Sequence, residues 1–197
     1  VFLIALVAVA MIGVMTPSVF ASLGYSFQSE IEIQSDLLYA ENQYLNPVDV
    51  VSNNSNDVFV LTNSYPNPII WKYSSVGTYL SHFEPEPITN GEPRKLAIDE
   101  NNYLYILYTI RNEGNFEFII AQYSSNGSLL NEFNIGMSDD SLNMPNSLAI
   151  NSVGDILVTF SELQTIQIFT STGELKNEII LSSLDATDTN YSMDIAV

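Results

Sequence analysis

Three times in this chain the same run of residues returns at a spacing of about fifty, and a fixed-period repeat constrains the fold more tightly than any single motif. The first copy reads Pro47, Val50-Val51, Val58-Phe59-Val60, Ile70-Trp71-Lys72-Tyr73, Gly77. The second reads Pro93, Leu96-Ala97-Ile98, Leu104-Tyr105-Ile106, Ile120-Ala121-Gln122-Tyr123, Gly127. The third reads Pro145, Leu148-Ala149-Ile150, Ile156-Leu157-Val158, Ile166-Gln167-Ile168-Phe169, Gly173. From each proline the second apolar run starts eleven residues on, and each glycine is preceded by an aromatic at four residues and an isoleucine at seven. A fourth copy starts at Ile195-Ala196-Val197 and is cut off.

Each copy holds four short strand-like runs separated by turn chemistry, the pattern of a four-stranded antiparallel sheet. The first run, at 48–51, 96–99 or 148–151, follows a proline that is expected to set the chain just before pairing begins. Asn53-Asn54-Ser55-Asn56, Glu100-Asn101-Asn102 and Ser152-Val153-Gly154-Asp155 supply the Asx and positive-φ residues of a turn. The second run is apolar at nearly every position, as in Leu104-Tyr105-Ile106-Leu107, so both of its faces must be covered, as in sheets stacked face to face about an axis. A hairpin closing at Gly77, Gly127 or Gly173 leads to an outer strand of mixed polarity at 78–83, 129–135 and 175–181. The second copy inserts Arg111-Asn112-Glu113-Gly114-Asn115-Phe116 into its middle hairpin.

The proline followed by Leu-Ala-Ile-Asp (Pro93, Leu96 to Asp99), the apolar second strand, and the Ile-x-x-aromatic-x-Ser-x-Gly element ending at Gly77, Gly127 and Gly173 resemble the NHL-repeat β-propellers. The likeness covers about residues 45–197, and the family's Asp-rich signature near the end of the second strand is replaced here by Leu61-Thr62-Asn63 and Leu107-Tyr108-Thr109. The resemblance implies an all-β propeller of four-stranded blades, six when complete, of which this chain carries three. It divides the chain into 47–83, 93–135 and 145–181, with the start of a fourth blade at 192. Residues 22–46 form an N-terminal strand and linker, in which Ser22-Leu23-Gly24 and Phe27 to Ile33 are similar to the hairpin and outer strand of the third copy.

Val1 to Met15 is an uncharged apolar run followed by Thr16-Pro17-Ser18 and the small-residue pattern Val19-Phe20-Ala21. Residues 1–21 therefore read as a signal peptide or membrane anchor, and the protein is expected to be exported, extracellular or at the cell surface. Membrane contact would run only through that segment left uncleaved. The absence of cysteine suits a prokaryotic exported domain stabilised by its core alone. Five Lys and Arg against 23 Asp and Glu give a formal charge of -18, a surface that repels phosphate backbones, so nucleic acid is not the expected partner. The start at valine and the interrupted fourth copy lead to the expectation of a fragment of a longer protein. Asn53, Asn126 and Asn190 head Asn-x-Ser sequons in expected turns or linkers and are candidate glycosylation sites.

Catalytic chemistry finds little purchase in these residues. His82 is the only histidine, on a polar outer strand where a solvated ring is expected, and no glycine-flanked serine elbow occurs. No catalytic or metal-ligating residue is assigned. Asp139-Asp140-Ser141, Asp185 and Asp188 could offer oxygens to calcium, but without an EF-hand or glycine-aspartate spacing they read as acidic linkers, and no cofactor is expected. Trp71 lies within an apolar strand and reads as core. The two positions after each repeat proline, Val48 and Asp49, Arg94 and Lys95, Asn146 and Ser147, vary while their surroundings do not, so they are the candidate ligand-facing residues. The expected function is a non-catalytic scaffold for a protein or glycan ligand. The alternative, implied by the resemblance, is a calcium-dependent lactonase-like or lyase-like propeller enzyme.

Overall fold

Alternating and continuous apolar runs too short for stable helices become strands of five to ten residues throughout the computed structural model. It describes residues 46–64, 67–139, 143–160, 163–181 and 195. Twelve strands run β1 (Asn46–Ser52), β2 (Val58–Asn63), β3 (Ile69–Tyr73), β4 (Tyr79–Phe83), β5 (Gly91–Ile98), β6 (Leu104–Asn112), β7 (Asn115–Tyr123), β8 (Leu129–Ser138), β9 (Pro145–Ile150), β10 (Ile156–Phe160), β11 (Thr165–Phe169) and β12 (Leu175–Ile180). They form three four-stranded antiparallel meanders, β1 to β4, β5 to β8 and β9 to β12. The described residues contain no helix. These sheets are three blades of a β-propeller, and the first strand of each lies beside the first strand of the next, β1 against β5 and β5 against β9.

The second strand of the middle blade shows why blades form. Leu104 to Tyr108 each expose 2% or less of their surface. Alternate side chains leave opposite faces of a strand. Leu104, Ile106 and Tyr108 accordingly pack with Phe59, Leu61 and Ile70 of the first blade, while Tyr105 and Leu107 pack with Leu148, Ile156 and Val158 of the third. A sheet covered on both faces has no need of polar alternation in its central strands, and burial of each such side chain stabilises by about 1.5–3 kcal/mol. The outer strand β12 is exposed along its whole length.

The turns repeat as closely as the strands. Between first and second strands, Asn53 Oδ1 accepts from Ser55 N (3.0 Å) and Asp57 N (2.8 Å). Asp99 Oδ1 accepts from Asn101 N and Tyr103 N (both 2.9 Å), and Asn151 Oδ1 from Val153 N (3.1 Å) and Asp155 N (2.8 Å). Between third and fourth strands the hydroxyls of Ser74, Ser124 and Thr170 each accept from the backbone N–H four residues on, at 3.1 Å in every blade. All six turns sit at one end of the blades, the glycine end. The opposite, proline end carries the starts of the first strands, the middle hairpins and the connections between blades, and these differ from blade to blade.

Glycine at the outer turn answers a packing demand as well as a backbone one. Gly127 has φ 89° and a Cβ there would lie 2.7 Å from the Phe83 ring of the preceding blade; Gly173 has φ 88° and a Cβ would collide with Phe133 in the same way. Each outer-strand phenylalanine thus seats on the next blade's turn. Glu86 N also donates to Gly127 O (3.2 Å), and Tyr123 Oη donates to Glu86 O (2.9 Å).

Two expectations are corrected. The prolines do not stand before the pairing but within it, Pro47 opposite Thr62, Pro93 opposite Tyr108 and Pro145 opposite Phe160. Each first strand has a ladder partner on one side only, so a residue without an N–H breaks no second ladder. The insertion in the second copy lengthens its middle hairpin in regular pairing, β6 and β7 reaching to Asn112 opposite Asn115 and closed by Glu113 (φ 44°) and Gly114 (φ 98°). The outer strand lengthens with them, from the expected end at Ile135 to Ser138. Residues 1–45 and the start of the fourth copy lie outside the described residues, Ile195 excepted.

Gly173→Ala combines a left-handed backbone, worth about 1–2 kcal/mol, with overlap on Phe133, worth about 1–3 kcal/mol. Urea unfolding of the variant is expected to show a loss of about 2–5 kcal/mol. Gly114→Ala, at positive φ with open space around it, is expected to lose only the backbone part, about 1–2 kcal/mol. Equal losses at the two sites would refute the phenylalanine seat.

Candidate functional site at the proline end

The six variable positions share one structural cause. In each first strand the register slips just after the proline, between Pro47 and Asp49 and between Pro93 and Lys95. In the third blade Pro145 and Ser147 oppose neighbouring residues Phe160 and Thr159, which leaves Asn146 over. Val48, Arg94 and Asn146 are therefore the extra residues of three equivalent β-bulges. A bulged residue is released from the ladder and its side chain is re-aimed, so sequence can change there without disturbing the sheet.

Asp49, Lys95 and Ser147 follow the bulges and face the next blade. Asp49 Oδ2 accepts from Leu96 N at 2.9 Å while its Oδ1 accepts from Val50 N at 2.9 Å, which ties the first strands of neighbouring blades together. Ser147 Oγ accepts from Ile195 N at 3.3 Å, the same relation two repeats later. Lys95 stands between them in the pattern and carries no acceptor, so the middle junction cannot close by this bond. Ser147 is buried, Asn146 exposed, and Val48, Asp49, Arg94 and Lys95 half-buried. Val48 packs against the apolar cluster between the first two blades.

Arg94 Nη2 donates to Glu92 Oε2 at 2.9 Å, with 40% and 52% of the two side chains exposed. Such a pair contributes about 1 kcal/mol or less. Arg94 Nε is buried and without a partner. Glu92 belongs with the candidates, and the sequence signal for it is spacing: residues two apart on a strand share a face.

Other singled-out residues fall elsewhere. Trp71 is fully buried and its Nε1 donates to Thr62 Oγ1 at 3.2 Å. His82 is not a solvated ring: half-buried, it lies 5.3 Å from Trp71 between ring centroids, and Tyr79 Oη is 2.6 Å from its Nδ1. The neighbouring Tyr73 phenol is pushed up to about 12 by burial and by Tyr79. The Tyr123 phenol, also at about 12 through burial, shares a 3.1 Å hydrogen bond with Tyr108. Lys176 at 2.6 Å holds the Asp155 carboxyl below its ordinary value.

Asn53 and Asn126 sit in the glycine-end turns. The Asn53 amide donates to Asn102 Oδ1 of the next blade at 2.8 Å, and Ser124 donates its hydroxyl proton to Asn126 Oδ1. Asp139 is exposed. Asn190, Asp140, Ser141, Asp185 and Asp188 lie outside the described residues. Among the described residues no three His, Asp or Glu side chains converge in a way that could hold a metal ion.

Three stacked meanders about a common line of first strands define a propeller-type protein. No protein-family model matches the chain, and no curated protein matches its sequence. Among solved structures it is similar to a protein of unknown function from Bacteroides caccae at 14% identity and TM-score 0.50, covering 75% of this chain and 50% of that one. Virginiamycin B lyase from Staphylococcus aureus matches at 16% identity and TM-score 0.46, covering 72% of this chain and 45% of the lyase. A gluconolactonase from Xanthomonas campestris matches at 15% identity and TM-score 0.46, with 70% and 48% covered. These are likenesses of fold alone, and the chain spans half or less of the length of each protein.

Asp49→Ala removes the acceptor for Leu96 N across the first junction, and a bond to a charged group is worth about 1.5–3 kcal/mol. A stability loss of that size is expected in urea unfolding, and Asp49→Asn, which keeps an acceptor oxygen, is expected to lose less. A change within about 0.5 kcal/mol for Asp49→Ala, the range of surface substitutions, would show that the junction does not depend on this carboxylate.

Proposed function

We propose that the chain is part of an exported NHL-type propeller, closing with six blades in the complete protein, that binds a protein or glycan ligand at the proline end without turning it over. The observation that carries the reading is the contrast between the two ends. At the glycine end three blades use the same side-chain bonds in the same turns. At the proline end, three bulges in the same place present three chemistries: Val48 with Asp49, Arg94 with Lys95, Asn146 with Ser147. Bulges that free a side chain from the ladder are a way to vary a binding surface on a constant frame. The acidic surplus favours a basic or neutral partner over a nucleic acid.

The test is a screen of the full-length protein against glycans and peptides, with lactone and ester turnover measured in parallel with and without calcium. Saturable binding is expected that weakens about tenfold, near 1.4 kcal/mol, in an Arg94→Ala, Asn146→Ala double variant of unchanged unfolding midpoint. The on-rate of a lysine-rich peptide is expected to fall as ionic strength rises. Turnover that vanishes on calcium chelation would replace this reading with the enzymatic one.

A further inference from the structure

The middle junction, the one where Lys95 stands in place of an acceptor, opens at the proline end into a cavity of about 480 Å³ between the second and third blades. A volume of that size suits a small-molecule site. It exists because the second blade departs from the repeat. The lengthened hairpin contributes Asn115, and the added end of β8 contributes Met137 and Ser138 after a second bulge, where Gly136 takes φ 143°. The first and third blades have no such extension.

Phe118 from one blade and Phe160 from the other line the cavity edge to face, their ring centroids 6.4 Å apart. Directly across the ladders from them stand Thr109 and Thr165. Paired residues of this kind point to the same face of a sheet. Both threonines are buried, at 3% and 6% exposure, and both hydroxyls lack a partner. Buried hydroxyls ordinarily find a partner; these two stand one ladder position behind the lining phenylalanines and are not themselves part of the lining. Met137 and Leu163, also lining the cavity, expose 73% and 49% of their surface, an apolar lip open to solvent.

The chemistry of the lining selects the ligand. Amides of Asn115, Asn143 and Gln167 and the Ser138 hydroxyl alternate with apolar surface, and among the described residues no lysine, arginine or histidine lines the cavity and Asp139 is its one charged lining residue. Gln167 Nε2 already donates to Glu178 Oε1 at 2.9 Å, which leaves its carbonyl oxygen as an acceptor. An anion gains nothing here. A ring with an apolar C–H face and a rim of hydroxyls or amides meets both parts of the lining. We propose that this cavity is a binding site for an uncharged saccharide unit, independent of the ligand proposed for the bulged residues.

Titration of the full-length protein with neutral hexoses, an N-acetylhexosamine and the matching uronic acid, followed by calorimetry, tests it. The neutral sugars are expected to bind, and the uronic acid about tenfold more weakly, a gap that Asp139→Asn narrows. Gln167→Ala and Met137→Ser are expected to weaken sugar binding about tenfold, whereas Val76→Ser, exposed in a glycine-end hairpin of the first blade, leaves it unchanged. Absence of saturable binding by any neutral sugar, preference for the uronic acid, or binding lost in Arg94→Ala but kept in Gln167→Ala would each overturn the assignment. The last result would place the sugar at the bulged residues instead, so failure here is distinguishable from failure of the proposed function.

Discussion

The whole structure rests on the burial of the second strand of a blade by neighbouring sheets on both of its faces. Leu104 to Tyr108 can be apolar at every position only because the first blade covers one side and the third covers the other. A four-stranded sheet alone would leave both of those faces in water. Stacking therefore precedes every other feature in the causal order. It brings the first strands side by side, sets Phe83 over Gly127 and Phe133 over Gly173, and brings Asp49 within reach of Leu96.

Once the sheets are stacked, their two ends are free to serve different purposes. The glycine-end turns are closed by local bonds, each made within four residues, and any change there costs stability in that blade. The proline end is held less rigidly by its own sequence. Bulges at Val48, Arg94 and Asn146 decouple side chain from ladder, and the hairpin at Glu113-Gly114 lengthens a blade without loosening it. Departures from the repeat gather at this end, and both proposed binding surfaces belong to it.

Much of this was legible in the residues. Period and turn chemistry located all twelve strands to within a few positions, because strand and Asx-turn formation depend on neighbours a few residues away. The candidate positions after each proline were found by their variation. The pairing of those prolines was not, since whether a proline lies before or inside a strand depends on the partner strand eleven or more residues away. His82 looked solvated for a similar reason: its polar neighbours in sequence, Ser81 among them, conceal the Trp71 ring that reaches it across the ladder.

The sequence by itself determined the blade: its four strands, its turns, the covered second strand and the acidic surface. All of these follow from composition and from contacts of short range along the chain. Only the tertiary structure decided how blades meet. The Asp49 to Leu96 bond spans 47 residues, and the cavity of Phe118 and Phe160 joins side chains from different sheets. No local pattern encodes such distances, because they are set by the packing of one buried face on another.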